Sequence, residues 1–314
     1  MNQFGAFLRL IRYPNLFFIA LTQVLFYYFI IIPSKEQYSD ANVNLSPMLL
    51  IWMVAASVLI AAGGYIINDY FDLYIDRVNR PGRIVIEKKI KRRWAIVWHL
   101  GFSFLGVVIS FYLGWKLGNL LIGFFNMAAV FLLWSYSTTF KKKLLIGNVI
   151  ISLLTAWVVL VLYVAELRNP LRLSGDQARF VHDVFKLAVL YGSFAFIISL
   201  IREVVKDMED MEGDEKYRCK TIPIVWGLPA AKMFVSIWIM VLSAAIIILE
   251  VYALQLQWWW MVVYLFFLVL IPLYLIFRKL MPALVSADFS KISRMIKLVM
   301  FTGILSMMFF KLYS

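Results

Sequence analysis

The sequence predicts an all-α polytopic membrane protein, and three observations carry that expectation. Of 314 residues, 63% are hydrophobic and only 16% charged, with a mean hydropathy of +0.83. Soluble domains average about 45–50% apolar and about 25% charged, so a soluble fold could not hide this much apolar surface. Nine stretches are long and apolar enough to cross a hydrocarbon core, which takes about 20 residues each. They fall near 16–33, 48–67, 95–114, 119–139, 147–165, 182–201, 230–252, 257–277 and 295–313. They nearly fill the chain, which is therefore expected to be one transmembrane domain over 1–314. Aromatic residues gather at the ends of the stretches, as in the QWWWMVVY run from Gln257 to Tyr264, in the manner of an interfacial belt.

The first stretch is followed by IIPSKEQYSD rather than by a small-residue cleavage site, so it is expected to be a membrane helix and not a signal peptide. The single Cys219 excludes an internal disulfide and a cysteine metal cluster. His99 and His182 are isolated and are expected to be ordinary helix-end or interface residues.

The formal net charge of +13 could indicate nucleic acid, but its distribution points elsewhere. On the nine-helix reading, 24 of the 31 lysines and arginines fall at the N-terminus and in the loops after helices 2, 4, 6 and 8. The positive-inside rule places that side in the cytoplasm and the C-terminus outside. The expected setting is a bacterial or archaeal cell membrane, with lipid as neighbour and no nucleic-acid partner. The loops at 34–47 and 166–181 read as plain polar connectors.

Two segments on the basic side stand out, Asn68–Arg93 and Arg202–Lys220. Together they hold eleven of the 18 acidic residues. Each follows an apolar helix, carries an acidic cluster, turns basic and enters the next helix, a faint echo of internal duplication. Continued as helix at about 100° per residue, Asn68, Asp69, Asp72 and Asp76 share an arc of about 100°. Glu203, Asp207, Asp210 and Asp214 share about 60°, unless Gly213 breaks the helix before Asp214. Carboxylates crowded on one face near a bilayer repel and are costly to keep charged. Either arginines and lysines pair with them or divalent cations bind. An all-oxygen donor set without His or Cys points to Mg²⁺, with Mn²⁺ and Ca²⁺ as alternatives.

Two facing clusters would clamp a diphosphate. The surrounding bases suit phosphate oxygens: Arg77, Arg80 and Arg83 after the first cluster, Lys141, Lys142 and Lys143 ending helix 4, and Arg202, Lys206, Lys216, Arg218 and Lys220 around the second. The blander reading is a solvated loop with surface ion pairs, and three lysines at a helix end are also an ordinary topology signal.

NDYFDLYIDRVNRPGR, from Asn68 to Arg83, resembles the NDxxDxxxD signature of the UbiA superfamily of intramembrane prenyltransferases. REVVKDMEDMEGD followed by KTIPIVWG resembles that family's second aspartate-rich segment. RYPNL (Arg12 to Leu16) and KKKLLIGNV (Lys141 to Val149) are similar to further family segments. The resemblance implies nine helices around a central cavity and Mg²⁺-dependent transfer of a prenyl group from a prenyl diphosphate to a lipophilic acceptor. It implies metal binding by Asn68, Asp69, Asp72 and Asp76 on one side and by Asp207, Asp210 and Asp214 on the other. Asp72, Asp76 and Asp207 are then the catalytic carboxylates, and Asn68, Arg77, Arg80, Lys142 and Lys206 the contacts to diphosphate.

Tyr65, Trp134 and Tyr136 are placed to steady positive charge developing on carbon. Among family acceptors, the motifs look most like members that alkylate geranylgeranylglyceryl phosphate to make an ether lipid, and less like the heme-farnesylating branch. A quinone-pathway aromatic acceptor is the alternative. The chain departs from the family pattern after Arg83, at GRIVIEKKIKRR, so positions beyond it are not carried over. A transporter or channel is the competing class, but those place ionisable groups near the bilayer midplane. Here the acids collect at one face.

Overall fold

The computed structural model describes residues 3–82, 84–167 and 175–313. Among these residues nine helices are long and apolar enough to span a membrane, as the sequence predicts. An amphipathic helix α1 (Gln3–Leu10) comes first. The spans are α2 (Tyr13–Glu36), α3 (Pro47–Asn79), α4 (Arg92–Leu117), α5 (Leu121–Thr138), α6 (Ile146–Glu166), α7 (Gly175–Glu209), α10 (Gly227–Gln255), α11 (Trp259–Leu280) and α12 (Ser286–Tyr313). Short helices α8 (Met211–Lys216) and α9 (Ile222–Val225) lie between α7 and α10.

The chain forms two compact units. One comprises Met1–Lys141 and Trp157–Val189, the other Lys142–Ala156 and Leu190–Ser314, so α6 and α7 contribute residues to both.

The expected helical continuation through Asn68–Asp76 is present, and the segments Asn68–Arg93 and Arg202–Lys220 begin as helix rather than as loop: α3 continues to Asn79 and α7 to Glu209. At 1.5 Å per residue, Asn68 lies about 31 Å and Asp76 about 44 Å along α3, past the end of a hydrocarbon core about 30 Å thick. The polar residues therefore ride on a helical extension, which fixes their spacing. The described parts of the connectors at 34–47 and 166–181 are tied by specific hydrogen bonds. The turn after α2 is stitched to the end of α6: the Asn44 and Leu45 amides donate to the Glu166 carboxylate at 2.8 and 3.2 Å. Asn119 Nδ2 donates to the Val164 and Leu167 carbonyls, satisfying groups the helix end leaves open. α7 begins at Gly175, and residues 168–174 of the second connector lie outside the described residues.

Two prolines sit inside spans, and each follows the same device. A π-helical turn at Tyr27–Ile31 precedes Pro33, and another at Phe266–Leu270 precedes Pro272. Proline has no N–H and its ring crowds the carbonyl four residues back, so the widened turn lets the span continue. In the first unit α3 and α4 pack closely through small residues. A Cβ added at Gly63 would lie 2.8 Å from Ser103 Oγ and 3.3 Å from the His99 carbonyl, and one at Gly106 would lie 3.1 Å from the Ala56 carbonyl. Bilayer helices cannot gain from burying apolar surface against equally apolar lipid, so close approach supplies the cohesion. Gly106→Leu should destabilise the protein by about 1–3 kcal/mol through overpacking, read as a lower melting temperature of the detergent-solubilised chain. Gly101→Leu, at a position with open space around it, should melt like the parent.

Candidate active site at two acidic helix ends

The first cluster sits at the C-terminal end of α3, where the helix dipole adds negative potential to that of the acids. Asp69, Asp72 and Asp76 are spaced three, four and seven residues apart on one face and repel one another. The chain supplies a base to each of the first two. Arg12 Nη2 donates to Asp69 Oδ1 at 2.7 Å, and Lys141 Nζ pairs with Asp72 Oδ2. Asn68 Nδ2 donates to the same Asp72 oxygen at 2.7 Å, while Asn68 Oδ1 is buried with no hydrogen-bond partner. Asp72 is itself buried.

Arg12 stands at the start of α2 in the left-handed backbone region, φ 52° and ψ 54°, just before a helix with proline in its first turn. A non-glycine residue is rare there, and the placement aims the guanidinium back at α3. Arg12 also stacks over the Tyr65 ring, 5.1 Å from its centroid. Burial alone would weaken its charge, but facing Asp69 outweighs that and holds the guanidinium above the ordinary arginine value.

Asp69 and Asp76 line a small cleft with Leu73, Ile84, Val85 and Ile86. Its apolar wall belongs to the segment where the sequence departs from the family pattern. Val85, Ile86 and Ile90 are buried in a cluster with Ala6 and Leu10 of α1, Ile66 and Leu73 of α3 and Ala95 of α4. Arg77 turns away from the acids: it pairs with Glu87 at 2.6 Å and lies over the Tyr74 ring. Arg80 caps α3, its amide donating to the Asp76 carbonyl at 2.8 Å. Arg83 lies outside the described residues.

The second cluster sits in the other unit, at the end of α7. Asp207 Oδ2 accepts from Asn148 Nδ2 at 2.8 Å. Glu203 accepts from Arg202 Nη1 at 3.0 Å and from Lys206 Nζ at 3.3 Å to both of its oxygens. The helix breaks at Asp210, three residues before Gly213, so Asp214 belongs to α8 rather than to α7. A continuous arc through all four acids is therefore not formed, although the Asp214 amide still donates to the Asp210 carbonyl at 3.1 Å and Asp214 is buried. Lys142 is exposed in a 3₁₀ turn (Phe140–Lys142) beyond the end of α5, with its carbonyl accepting from the Lys220 amide at 2.9 Å. Of the aromatic residues expected to face the reaction, Trp134 packs against Phe71 and His99. His99 itself is buried, bonded through Nδ1 to the Gly63 carbonyl at 2.9 Å.

Residues 38–295 match the family model described as "UbiA prenyltransferase family". The chain belongs to the UbiA family. A digeranylgeranylglyceryl phosphate synthase of Methanothermobacter thermautotrophicus is 32% identical over 194 residues, covering 61% of this chain and 62% of that protein. One of Pyrococcus abyssi is 36% identical over 177 residues, 56% of each chain. The chain thus spans less than two thirds of the length of these curated relatives. A solved structure of a UbiA homologue from Archaeoglobus fulgidus, bound to DMAPP and Mg²⁺, matches with a TM-score of 0.54 at 16% identity, covering 96% of this chain and 98% of that one. A solved structure concerned with digeranylgeranylglyceryl phosphate synthase in membranes matches at 0.59 and 22% identity, over 98% and 99%. At those identities the structures establish a shared UbiA fold.

UbiA membership and the oxygen donors both imply a divalent cation. Among the described residues no three His, Cys, Asp or Glu side chains converge on one cation position. The donor chemistry fits all the same: Asp69, Asp72 and Asp76 offer hard carboxylate oxygens on one face, and Asn68 adds a buried, unpartnered carbonyl oxygen beside Asp72. Two side chains at these clusters, Arg12 in the first unit and Asn148 in the second, were not among the sequence-derived site residues, and Lys141 was named only as one of three bases suited to phosphate. The signal was present, because Arg12 opens RYPNL and Asn148 lies in KKKLLIGNV. The Lys141–Asp72 pair is largely withdrawn from solvent, with 24% and 7% of the side chains exposed. Lys141→Met should therefore cost about 3 kcal/mol by leaving a buried carboxylate uncompensated. Asp72→Asn on top of it should restore much of the lost melting temperature, a non-additivity expected of contacting residues.

Proposed function

We propose that this protein transfers a prenyl group from a prenyl diphosphate to geranylgeranylglyceryl phosphate, forming an ether lipid, with Mg²⁺ required. The observation that carries the reading is the match to relatives named digeranylgeranylglyceryl phosphate synthase at 30–36% identity. It is joined to helix ends built from oxygen donors and bases. Asn68, Asp69, Asp72 and Asp76 are the proposed metal-holding residues of the first unit, and Asp207, Asp210 and Asp214 those of the second. Bound Mg²⁺ would supply the positive charge that makes diphosphate a good leaving group.

The rest falls to the chain's own side chains. Arg12 and Lys141 pair with Asp69 and Asp72 and hold them in place. With a prenyl diphosphate present, their N–H groups are the proposed donors to its oxygens. Arg77, Arg80, Lys142 and Lys206 remain proposed contacts at longer reach, since Arg77 is paired with Glu87 and Lys206 with Glu203. The allylic C–O bond breaks, its electron pair leaves with diphosphate, and the acceptor hydroxyl oxygen bonds to that carbon as it loses its proton. The isoprenoid tails stay among the apolar spans.

Membranes containing the protein should release diphosphate from geranylgeranyl diphosphate when geranylgeranylglyceryl phosphate and Mg²⁺ are both present, and EDTA should abolish it. Hydroxybenzoate and dihydroxynaphthoate should give no product; turnover with either and none with the glycerophosphate ether would replace the acceptor assignment. Arg12→Ala should lower kcat by roughly 100- to 1,000-fold, the cost of removing one preorganised donor to developing negative charge. Asp72→Ala should be inactive while still folding.

The charge asymmetry supports a topology with the N-terminus and the acidic helix ends in the cytoplasm. Lys89→Cys and Asp40→Cys, each in a Cys219→Ser background, test this with a membrane-impermeant maleimide on intact cells. Position 40 should be labelled at once, and position 89 only after permeabilisation.

A further inference from the structure

We infer that Asn148 is a positioning residue for Asp207, one that orients the carboxylate without cancelling its charge. The inference rests on the reading of Asp207 as a metal-holding carboxylate. Asn148 is built into a rigid site. It lies in the first turn of α6, 9% exposed, three residues beyond a left-handed residue, Leu145 (φ 62°). Leu144 and Leu145 pack on the apolar core of the second unit. The approach to the helix is tied down where the Lys142 carbonyl accepts from the Lys220 amide. The Asn148 backbone carbonyl accepts from Ser152 Oγ at 2.7 Å, and its side-chain Nδ2 donates to Asp207 Oδ2 at 2.8 Å.

The chemistry of the donor distinguishes this contact. In the first unit Asp72 receives a neutral amide from Asn68 and a full positive charge from Lys141. In the second unit the neighbouring cations Arg202 and Lys206 reach Glu203, and Asp207 receives an amide. A neutral donor adds no positive charge beside the carboxylate, and it fixes one oxygen, Oδ2. Donors of this kind behind metal ligands set ligand orientation, and their loss typically weakens metal binding about 10- to 100-fold. The same motif recurs in both units, an asparagine amide on one aspartate oxygen, although Asn68 lies in the aspartate-rich segment and Asn148 on a different helix from the acid it serves.

The test is Mn²⁺ affinity, measured by electron paramagnetic resonance on the full chain in nanodiscs with saturating geranylgeranyl S-thiolodiphosphate, alongside the melting temperature. Asn148→Ala should bind Mn²⁺ about 10- to 100-fold more weakly than the parent and melt close to it. A purely packing role would move the melting temperature and leave the affinity unchanged. Should Asn148→Ala fail to fold, Asn148→Gln, which keeps the amide but displaces it by one methylene, should also weaken binding. Parent-like affinity in the variant that folds, with Asp207→Asn weakened, overturns the positioning role and leaves the proposed function standing. Parent-like affinity in Asp207→Asn overturns the metal role of Asp207, and the inference with it.

Discussion

Negative charge at the C-terminal ends of two long helices, one cluster in each unit, is the constraint around which each cluster is organised. Helix ends of that polarity repel acids, and the edge of a bilayer solvates them poorly. Yet α3 carries three aspartates there, and α7 carries Glu203 and Asp207. Such an arrangement persists only with compensation, and the chain brings it from elsewhere in sequence. Arg12 comes from the turn before α2 and Lys141 from the turn after α5, 57 and 69 residues from their partners. Asn148 comes from the first turn of α6, 59 residues from Asp207. Asp69, Asp72 and Asp207 are thereby each met by a base or an amide brought from a distant segment.

The scaffold serves that need through length and close packing. α3 and α7 run 33 and 35 residues, well past what a bilayer requires, and so carry polar residues out on ordered helix. Glycines at 63 and 106 bring α3 and α4 together, one turn or more below the acids. The π turns before Pro33 and Pro272 let two spans keep going where a plain α-helix would break. The segment after Arg83 is similarly fixed. Its isoleucines and valine are buried against α1 and α3, and Glu87 holds Arg77 and Arg92 at 2.6 and 3.7 Å. A sequence stretch that leaves the family pattern thereby becomes the apolar wall beside Asp69 and Asp76.

Much of this was legible in the order of residues. Apolar runs of membrane length mark all nine spans, because lipid demands internally bonded backbone over a fixed thickness. The spacing of Asn68, Asp69, Asp72 and Asp76 puts them on one helical face, since the α period is fixed locally. Oxygen donors without His or Cys narrow the metal class. The helix break in the second cluster was anticipated as a possibility but placed at Gly213. It falls at Asp210, where no local signal as strong as glycine marks it.

Tertiary structure alone decided which charges meet. RYPNL and KKKLLIGNV are ordinary polar punctuation when read along the chain. Arg77, one residue after Asp76 and five after Asp72, looks nearer to the acids than Arg12, yet it pairs with Glu87. Pairing across some 60 residues depends on how helices pack and on the backbone angle of single residues such as Arg12 and Leu145, and neither is written in local periodicity. The sequence by itself determined the membrane, the apolar spans and the acidic face of α3, because those follow from short-range hydropathy and helical period. The identity of the bases and amides that hold the acids followed only from the fold, because it is set by contacts between segments far apart in the chain.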